Sequence, residues 1–442
     1  MGVFPAVSVG WNVAKEDFIA KNAPWLNKFG LRASYGATGN NRIESISSTS
    51  LTNSYNPGYS VLSTTSTITG AGSGSVVTAF QVPSVYSNPD LTWETTWQKN
   101  LGLDIALLKN RLNLSVDVYE SKTDNLLLLD SNLPSTGSTF SWLNVGSLQN
   151  RGMEIELSTT NINTKNFNWS TSANYSSNRN KLLDFGSLNE KISNNTTSTT
   201  GTTSSYSDVY QTKVGQPLIQ MYGYVTDGVW NSQQEITDSK LTTSITNGIQ
   251  VGGLKLKDLN QDGKLDASDR TVIGDPYADF TWGLTNNFKI YNFDLAFSFQ
   301  GVQGVQVYNG ESVSQEARRY TRNFTEGQYV SPLQPGTGTP FESQGVSWVL
   351  TDYSIEDGSY FKLNDITLGY TFKKELAKQL GLSKLRMYYS AQNLYYHFAD
   401  GYKGINPEAR NTKSTDPLTS GGLQYQGYPI SMSMLFGFDI NF

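Results

Sequence analysis

Ile430-Ser431-Met432-Ser433-Met434-Leu435-Phe436-Gly437-Phe438-Asp439-Ile440-Asn441-Phe442 is the stretch that decides the fold. Ile430, Met432, Met434, Phe436, Phe438, Ile440 and Phe442 are apolar, Ser431, Ser433, Gly437, Asp439 and Asn441 alternate with them, and Leu435 is the exception. A period of two marks a strand with one apolar and one polar face. Thirteen residues is long for a soluble strand but suits a tilted one that crosses a membrane. As the edge of a soluble sandwich, the same strand would expose an aggregation-prone apolar row.

The pattern recurs upstream. Phe293, Leu295, Phe297 and Phe299 alternate with Asp294, Ala296, Ser298 and Gln300. Phe280, Trp282, Leu284, Phe288 and Ile290 share one face of the segment before it. So do Phe167, Trp169, Ala173 and Tyr175, and likewise Leu112, Leu114, Val116 and Val118. Leu101, Leu103, Ile105 and Leu107 form another row, as do Ile366, Leu368, Tyr370 and Phe372, and Leu385, Met387, Tyr389 and Ala391. Less regular alternation covers Phe4–Val13, Leu26–Gly36 and Met153–Thr160. These segments predict about eleven wall strands.

Their connections fall into two lengths. Lys109-Asn110, Asn161–Lys165 and Tyr291-Asn292 are short, whereas Thr38–Thr92, Asp124–Asn150, Arg179–Asp279, Gly304–Tyr360 and Tyr396–Pro429 are long and polar. Outer-membrane barrels combine short periplasmic turns with long external loops. With Phe442 at the periplasmic end, the five long segments lie outside, and Gly215–Trp230 becomes a local strand within the largest of them, residues 179–278. The first strand then begins on the outside. Single-chain bacterial barrels have an even strand number, so at least one more strand is expected upstream. The expected fold class is all-β, the C-terminal part of a large antiparallel transmembrane barrel over residues 1–442.

Composition agrees and narrows the function. Among 442 residues 16% are charged and 12% aromatic, with Gly 40 and Tyr 25, a balance that favours strands and polar loops over helices. The net charge of −5 leaves no basic stripe for nucleic acid. Cys 0 excludes disulfides, thiolate catalysis and zinc–sulfur sites. A single His, His397, read as a loop residue, leaves no His-based metal site or Ser–His–Asp triad, and an enzyme is not expected. No apolar run of about 18 residues is present, which excludes a transmembrane helix but not a barrel. Met1 is not followed by a secretion signal, so an outer-membrane destination requires that the true N-terminus lie elsewhere.

Several ordered segments resemble the C-terminal barrel of SusC/RagA-family TonB-dependent outer-membrane transporters. They are Phe4-Pro5-Ala6-Val7-Ser8-Val9-Gly10-Trp11 with Leu31-Arg32-Ala33-Ser34-Tyr35-Gly36 and Thr38-Gly39-Asn40. Next come Asn88-Pro89-Asp90-Leu91-Thr92-Trp93-Glu94 running to Asn100-Leu101-Gly102-Leu103-Asp104, and Asn144-Val145-Gly146 with Asn150-Arg151-Gly152 and Glu154. Tyr222-Gly223-Tyr224-Val225-Thr226-Asp227-Gly228, Asp258-Leu259-Asn260-Gln261-Asp262-Gly263, Gly358-Ser359-Tyr360-Phe361-Lys362-Leu363 and Gln392-Asn393-Leu394 complete the series. The resemblance implies a parent barrel of about 22 strands whose lumen is filled by a plug. It also implies residence in the outer membrane, energy supplied through TonB, a SusD-like surface lipoprotein as lid, and an oligosaccharide or oligopeptide as substrate. Signal peptide, plug and TonB-contacting segment are not found in these residues. The competing expectations are a small outer-membrane pore, or a secreted calcium-stabilised adhesin or carbohydrate-binding module.

Two sets of candidate site residues stand out. Asp258, Asn260, Asp262, Asp266 and Asp269, with Gly263 and the Lys264 carbonyl, match a calcium loop of the EF-hand type at 258–269. Hard oxygens on short side chains suit calcium or magnesium, and the expected role is structural, although the last ligand is Asp rather than Glu and has less reach. The bland alternative is a solvated Asp/Asn/Gly turn. Trp142, Trp230, Trp348, Tyr353 and Tyr402 are candidate substrate-binding aromatics, with Tyr320 and Tyr395 considered beside them. Aromatics of barrels also form interfacial girdles or pack loops. Glu154 and Glu156 share one strand face, the expected lumen side.

Overall fold

In the computed structural model the alternating segments form one sheet of eleven antiparallel strands, hydrogen-bonded in chain order. The structure describes residues 2–23, 25–41, 59–61, 81–83, 85–86, 88, 90–130, 140–186, 189–199, 202–245, 248–309, 350–408, 421–424 and 428–442. The wall strands are β1 (Ala6–Asn12), β2 (Leu26–Asn40), β3 (Glu94–Leu107), β4 (Leu112–Asp124), β5 (Ser147–Asn163) and β6 (Phe167–Asp184). After a long connection follow β7 (Phe280–Ile290), β8 (Phe293–Gln303), β9 (Tyr360–Thr371), β10 (Lys384–Phe398) and β11 (Ser433–Asn441).

The register carries side-chain parity from strand to strand. Leu284 pairs with Phe299 and Phe288 with Leu295 across β7 and β8. Leu295 then pairs with Leu368, Leu368 with Tyr389, and Tyr389 with Phe436. Leu368, Tyr389 and Phe436 stay 50%, 44% and 57% exposed, so this stripe is not covered by a second layer among the described residues. An apolar face of this extent belongs against lipid. The opposite face carries Gly283, Thr285, Ser298, Thr367 and Ser390, with Thr367 Oγ1 and Ser390 Oγ 2.9 Å apart. This is the polar side that a membrane barrel turns to its lumen.

At the short-turn rim, local chemistry sets the backbone. Leu108, Lys109 and Asn110 have φ of 57°, 61° and 64°, a left-handed run that costs non-glycine residues energy. The Asn27 carboxamide offsets part of this cost, its Oδ1 accepting from Lys109 N at 2.6 Å and Asn110 N at 3.3 Å. Two other connections at this rim hold short helices absent from the sequence expectations, α1 (Asp17–Ala20) between β1 and β2 and another between β9 and β10.

The opposite rim carries the long connections, and the buried core lies there. Tyr210, Ile219, Met221, Tyr308, Leu350 and Leu423 come from three separate connections and pack as one cluster. The wall strands reach further into the expected loops than their apolar alternation suggests. β6 continues to Asp184 and β10 to Phe398, so His397 is a strand residue beside Phe361, ring centroids 5.0 Å apart, rather than a loop residue. Above the membrane a strand needs only backbone pairing, so polar residues continue it without apolar alternation. For the same reason Glu190–Thr199 and Thr202–Lys213 form a polar hairpin. Gly215–Trp230 divides into the strands Gln220–Gly223 and Thr226–Val229. At the chain end, regular pairing starts at Ser433 rather than Ile430.

Candidate functional site: the polar wall and its outer mouth

Two arginines organise the polar wall near the short-turn rim. Arg32 on β2 reaches Asp104 on β3 (Nε to Oδ2, 3.1 Å) and passes on to Asp117 on β4 (Nη2 to Oδ2, 2.9 Å). Lys28 joins Asp104 at 3.0 Å. The crossing is open because Gly102 lies beneath it: a Cβ there would sit 2.6 Å from Arg32 Cζ and 2.7 Å from Asp117 Oδ1. Arg386 on β10 repeats the device. It binds Asp439 on β11 (Nη1 to Oδ2, 2.7 Å) and crosses β9 over Gly369 to Asp294 on β8 (Nε to Oδ1, 3.0 Å). Guanidinium serves because its planar fork binds two carboxylates at once.

Between these networks lies a cavity of about 410 Å³, lined by Trp169, Phe288 and Leu295 of the apolar face as well as by Asn168, Asn287 and Lys289 of the polar face. Glu154 and Glu156 are on this face as expected, opposite Asp117 and Ser115 on β4 and both exposed. The wall therefore offers hydrogen-bonding groups and carboxylates, some of them joined to each other, as Ser115 Oγ is to Asp104 at 2.9 Å.

At the outer mouth, Lys362 is 7% exposed and its Nζ lies 2.6 Å from Glu408 Oε1 and 5.5 Å from the centre of the Tyr396 ring. Beside it, Tyr360, Tyr396, Phe398 and Tyr402 form a chain of rings with centroids 5.4 to 6.3 Å apart. Tyr402 Oη donates to Gln424 Oε1 at 2.8 Å, and the next residue, Lys403, places Nζ 5.3 Å from the Tyr353 ring centre. Of the sequence-derived aromatics, Tyr353 thus meets Lys403, while the neighbouring Tyr402 joins the ring chain through Phe398. Lys362, Lys403 and Glu408 carry no sequence signal, because residues 46 apart meet only once β9 and the last long connection are in place.

The other aromatics have different places. Trp230 is wholly buried in the largest connection, under Lys255 at 4.8 Å, and that lysine also binds Glu235 at 3.0 Å. Its ring is spent on loop packing in this conformation. Trp142 is 7% exposed within a short hairpin where Leu129 pairs with it. Tyr395 is half exposed beside Phe361 on the apolar face, as in an interfacial girdle. Trp348 and Tyr320 lie outside the described residues.

The Asp/Asn loop is built as a series of side-chain-to-backbone turns. Asp258 Oδ2 accepts from Gly263 N at 2.7 Å, Asn260 Oδ1 from Asp262 N at 3.0 Å, and Asp262 Oδ1 from Lys264 N at 2.8 Å. Gly263 adopts φ 80°, which the turn requires of a residue without Cβ. Asp269 is fully buried and accepts from Leu259 N and Asp266 N, both at 2.9 Å, closing the loop end to end. Lys264 Nζ holds Asp266 at 2.8 Å, and this ion pair, with the Ser268 N–H, lowers the Asp266 carboxyl to about 2. Among the described residues no group of three or more His, Cys, Asp or Glu side chains converges as a metal shell. The donor set suits a hard divalent cation, while its arrangement here is that of a hydrogen-bonded turn.

Comparison with known proteins adds the family. The model described as TonB dependent receptor-like, beta-barrel matches residues 2–235. TonB-dependent receptor P3 of Formosa agariphila is 32% identical over 444 residues, covering 99% of this chain and 42% of that protein. TonB-dependent receptor SusC of Bacteroides thetaiotaomicron is 28% identical over 460 residues, covering 100% of this chain and 40% of that protein. The structure of the RagAB peptide transporter superposes with a TM-score of 0.74 at 22% identity, over 99% of this chain and 43% of that one, which establishes the likeness of fold. The chain therefore spans about two-fifths of the length of these relatives.

Proposed function

Since this chain belongs to the TonB-dependent receptor-like β-barrel family, we propose that it forms part of the wall of an active importer of oligosaccharides or oligopeptides. Members of the family are outer-membrane proteins and transporters, not enzymes. The observation that carries the proposal is the eleven-strand sheet in chain order, apolar on one face and polar on the other. In this reading the plug occupies the lumen and draws energy through TonB. A SusD-like lipoprotein covers the mouth, where three long connections share a core large enough to present a fixed surface. Tyr353, Tyr402 and Lys403 then stand where an entering oligomer first meets the wall. One solved structure of the same fold is a peptide transporter, which keeps peptide among the candidate classes beside saccharide.

The test is uptake. Cells carrying or lacking the gene are supplied with fluorescent oligopeptides or oligosaccharides, with and without an uncoupler of the inner membrane. Gene-dependent, uncoupler-sensitive accumulation of one class supports import and names the substrate. Accumulation that survives the uncoupler would indicate a passive pore instead.

We also propose that the loop at 258–269 holds a structural calcium or magnesium ion through side-chain oxygens of Asp258, Asn260, Asp262, Asp266 and Asp269 and the Lys264 carbonyl. The buried Asp269 carboxylate supports this, since it sits at the spacing where such loops close on the ion. Extracellular sites of this kind bind at about 10⁻⁴ to 10⁻³ M. Calorimetric titration with calcium checks it, and no heat at millimolar calcium removes the proposal.

A further inference from the structure

The connection between β9 and β10 contains a helix, α2 (Lys374–Gln379), on the same rim as the chain end, since Ser383 N donates to Asn441 O at 2.8 Å. Gly381, with φ 74°, ends the helix and turns the chain so that Leu382 N bonds Ala377 O at 2.9 Å. Ala377 faces the protein and is 1% exposed. Leu376 and Leu380 stand one turn apart on another side and are 41% and 58% exposed. Among the described residues nothing buries them further.

Three observations say what does. First, the apolar wall leads to them: Phe293 lies tilted against Tyr370 at 4.8 Å, Tyr370 meets Phe372 edge-on at 5.1 Å, and only Lys373 separates Phe372 from the helix. Second, Lys373, Lys374, Lys378 and Lys384 are all exposed against the single Glu375, a positive turn in a chain of net charge −5. Third, the short-turn rim of such a barrel lies at the periplasmic leaflet. A short helix with apolar and basic sides at that level has the character of an interfacial anchor, its lysine stems extending to place ammonium groups among headgroups.

We propose that this connection is a docking surface for anionic phospholipid of the periplasmic leaflet, with Leu376 and Leu380 in the acyl boundary and the lysines on phosphate. The proposal rests on the outer-membrane barrel described above. The α1 connection on the same rim, also with exposed Phe18 and Trp25, carries Glu16 and Asp17 against Lys15 and Lys21, with Lys21 3.4 Å from Asp17, and so lacks the charge excess.

These 442 residues contain no cysteine, so once any cysteine elsewhere in the complete protein is replaced by Ser, each single substitution gives one labelling position. The complete protein, carrying Leu380→Cys, Leu376→Cys, Glu375→Cys or the wall control Leu368→Cys, is labelled with an environment-sensitive fluorophore. It is then reconstituted in vesicles of phosphatidylethanolamine and phosphatidylglycerol containing lipid spin-labelled near the headgroup for positions 375, 376 and 380 and along the acyl chain for the wall control at 368. Labels at 376 and 380 are expected to lose about twofold in intensity by quenching, and the label at 375 to lose little. Replacing phosphatidylglycerol by phosphatidylcholine, or Lys373, Lys374 and Lys378 together by Gln, should reverse most of that loss at 376 and 380. Quenching at 368 without quenching at 376 and 380 overturns the docking surface, and quenching indifferent to lipid charge overturns its anionic selectivity. If 368 itself is not quenched, the membrane barrel fails, and this inference with it.

Discussion

Gly369 and Gly102 show how a missing side chain can matter more than a present one. At Gly369 a Cβ would lie 2.5 Å from both Arg386 Nη2 and Asp294 Oδ2, so Gly369→Ala must push the guanidinium off the carboxylate two strands away. Arg386 is only 18% exposed at its side chain, and losing a well-formed charged hydrogen bond in such a place costs about 1 to 3 kcal/mol. The variant is therefore expected to unfold earlier in urea, read by loss of the folded band in unheated detergent gels, while Gly215→Ala provides a positive-φ control with nothing within 4 Å. A second prediction concerns pH. The backbone N–H of Asn231 and the ammonium of Lys255 hold the Glu235 carboxyl below its ordinary value of 4.5. Because the folded value is depressed, this carboxylate stabilises the fold above the ordinary range. The contribution disappears as pH falls through the lowered folded value. Protection of the amides around Trp230, taken relative to their intrinsic exchange rates, should accordingly fall below pH 4.5 in the native protein, with Glu235→Gln less protected at neutral pH and showing no further acid step.

For a strand, what counts is which residues face which way, and β9 gives a direct test. Leu368 lies on the apolar face opposite Leu295 and Tyr389, while Thr367 lies on the polar face against Ser390. Leu368→Arg should cost about 2 to 4 kcal/mol if it falls near the bilayer midplane, and Thr367→Arg, one residue away, far less. Urea titration of both variants in the same vesicles measures the difference; equal costs would mean that the two faces are not lipid and lumen. This parity was readable in advance because the bilayer enforces it: every second residue of Phe293–Phe299 and Ile366–Phe372 had to be apolar. Strand ends were less readable. β6 runs on through Asn178, Arg179 and Asn180, where water on both sides removes the constraint that produced the pattern. The helix at Lys374–Gln379 was also invisible, since a single turn is too short for a period of 3.6 to register. Of the aromatic candidates, Tyr353 meets Lys403 and Tyr402 meets Phe398, whereas Trp230 is interior, a distinction set by connections far apart in sequence.

The whole molecule has two kinds of cohesion that need not fail together. The wall is held by continuous backbone ladders between neighbours, and its apolar face takes its stability from lipid. The loop layer has cores of its own: Tyr224, Leu256 and Leu265 pack together with Leu241, Ile245, Ile249 and Leu254, and the strand Leu254–Leu256 ends directly before Asp258. The calcium-type loop and this cluster therefore share backbone, so an ion bound at 258–269 would stabilise the cluster by mass action. At ten times the dissociation constant that amounts to about 1.4 kcal/mol. Wall strands gain nothing from it, having no contact with the ion. Removing calcium with a chelator should thus speed proteolytic cleavage between residues 240 and 270 several-fold while the heat-modifiable band of the barrel stays where it was. Asp269→Asn, which keeps the shape but removes the charge, should make cleavage fast with or without the ion. If cleavage is insensitive to chelator in the native protein, the turn is held by its own hydrogen bonds alone. If band and cleavage shift together, the loop layer and the wall are one cooperative unit, and signals at the mouth could reach the wall through folding energy rather than through contact.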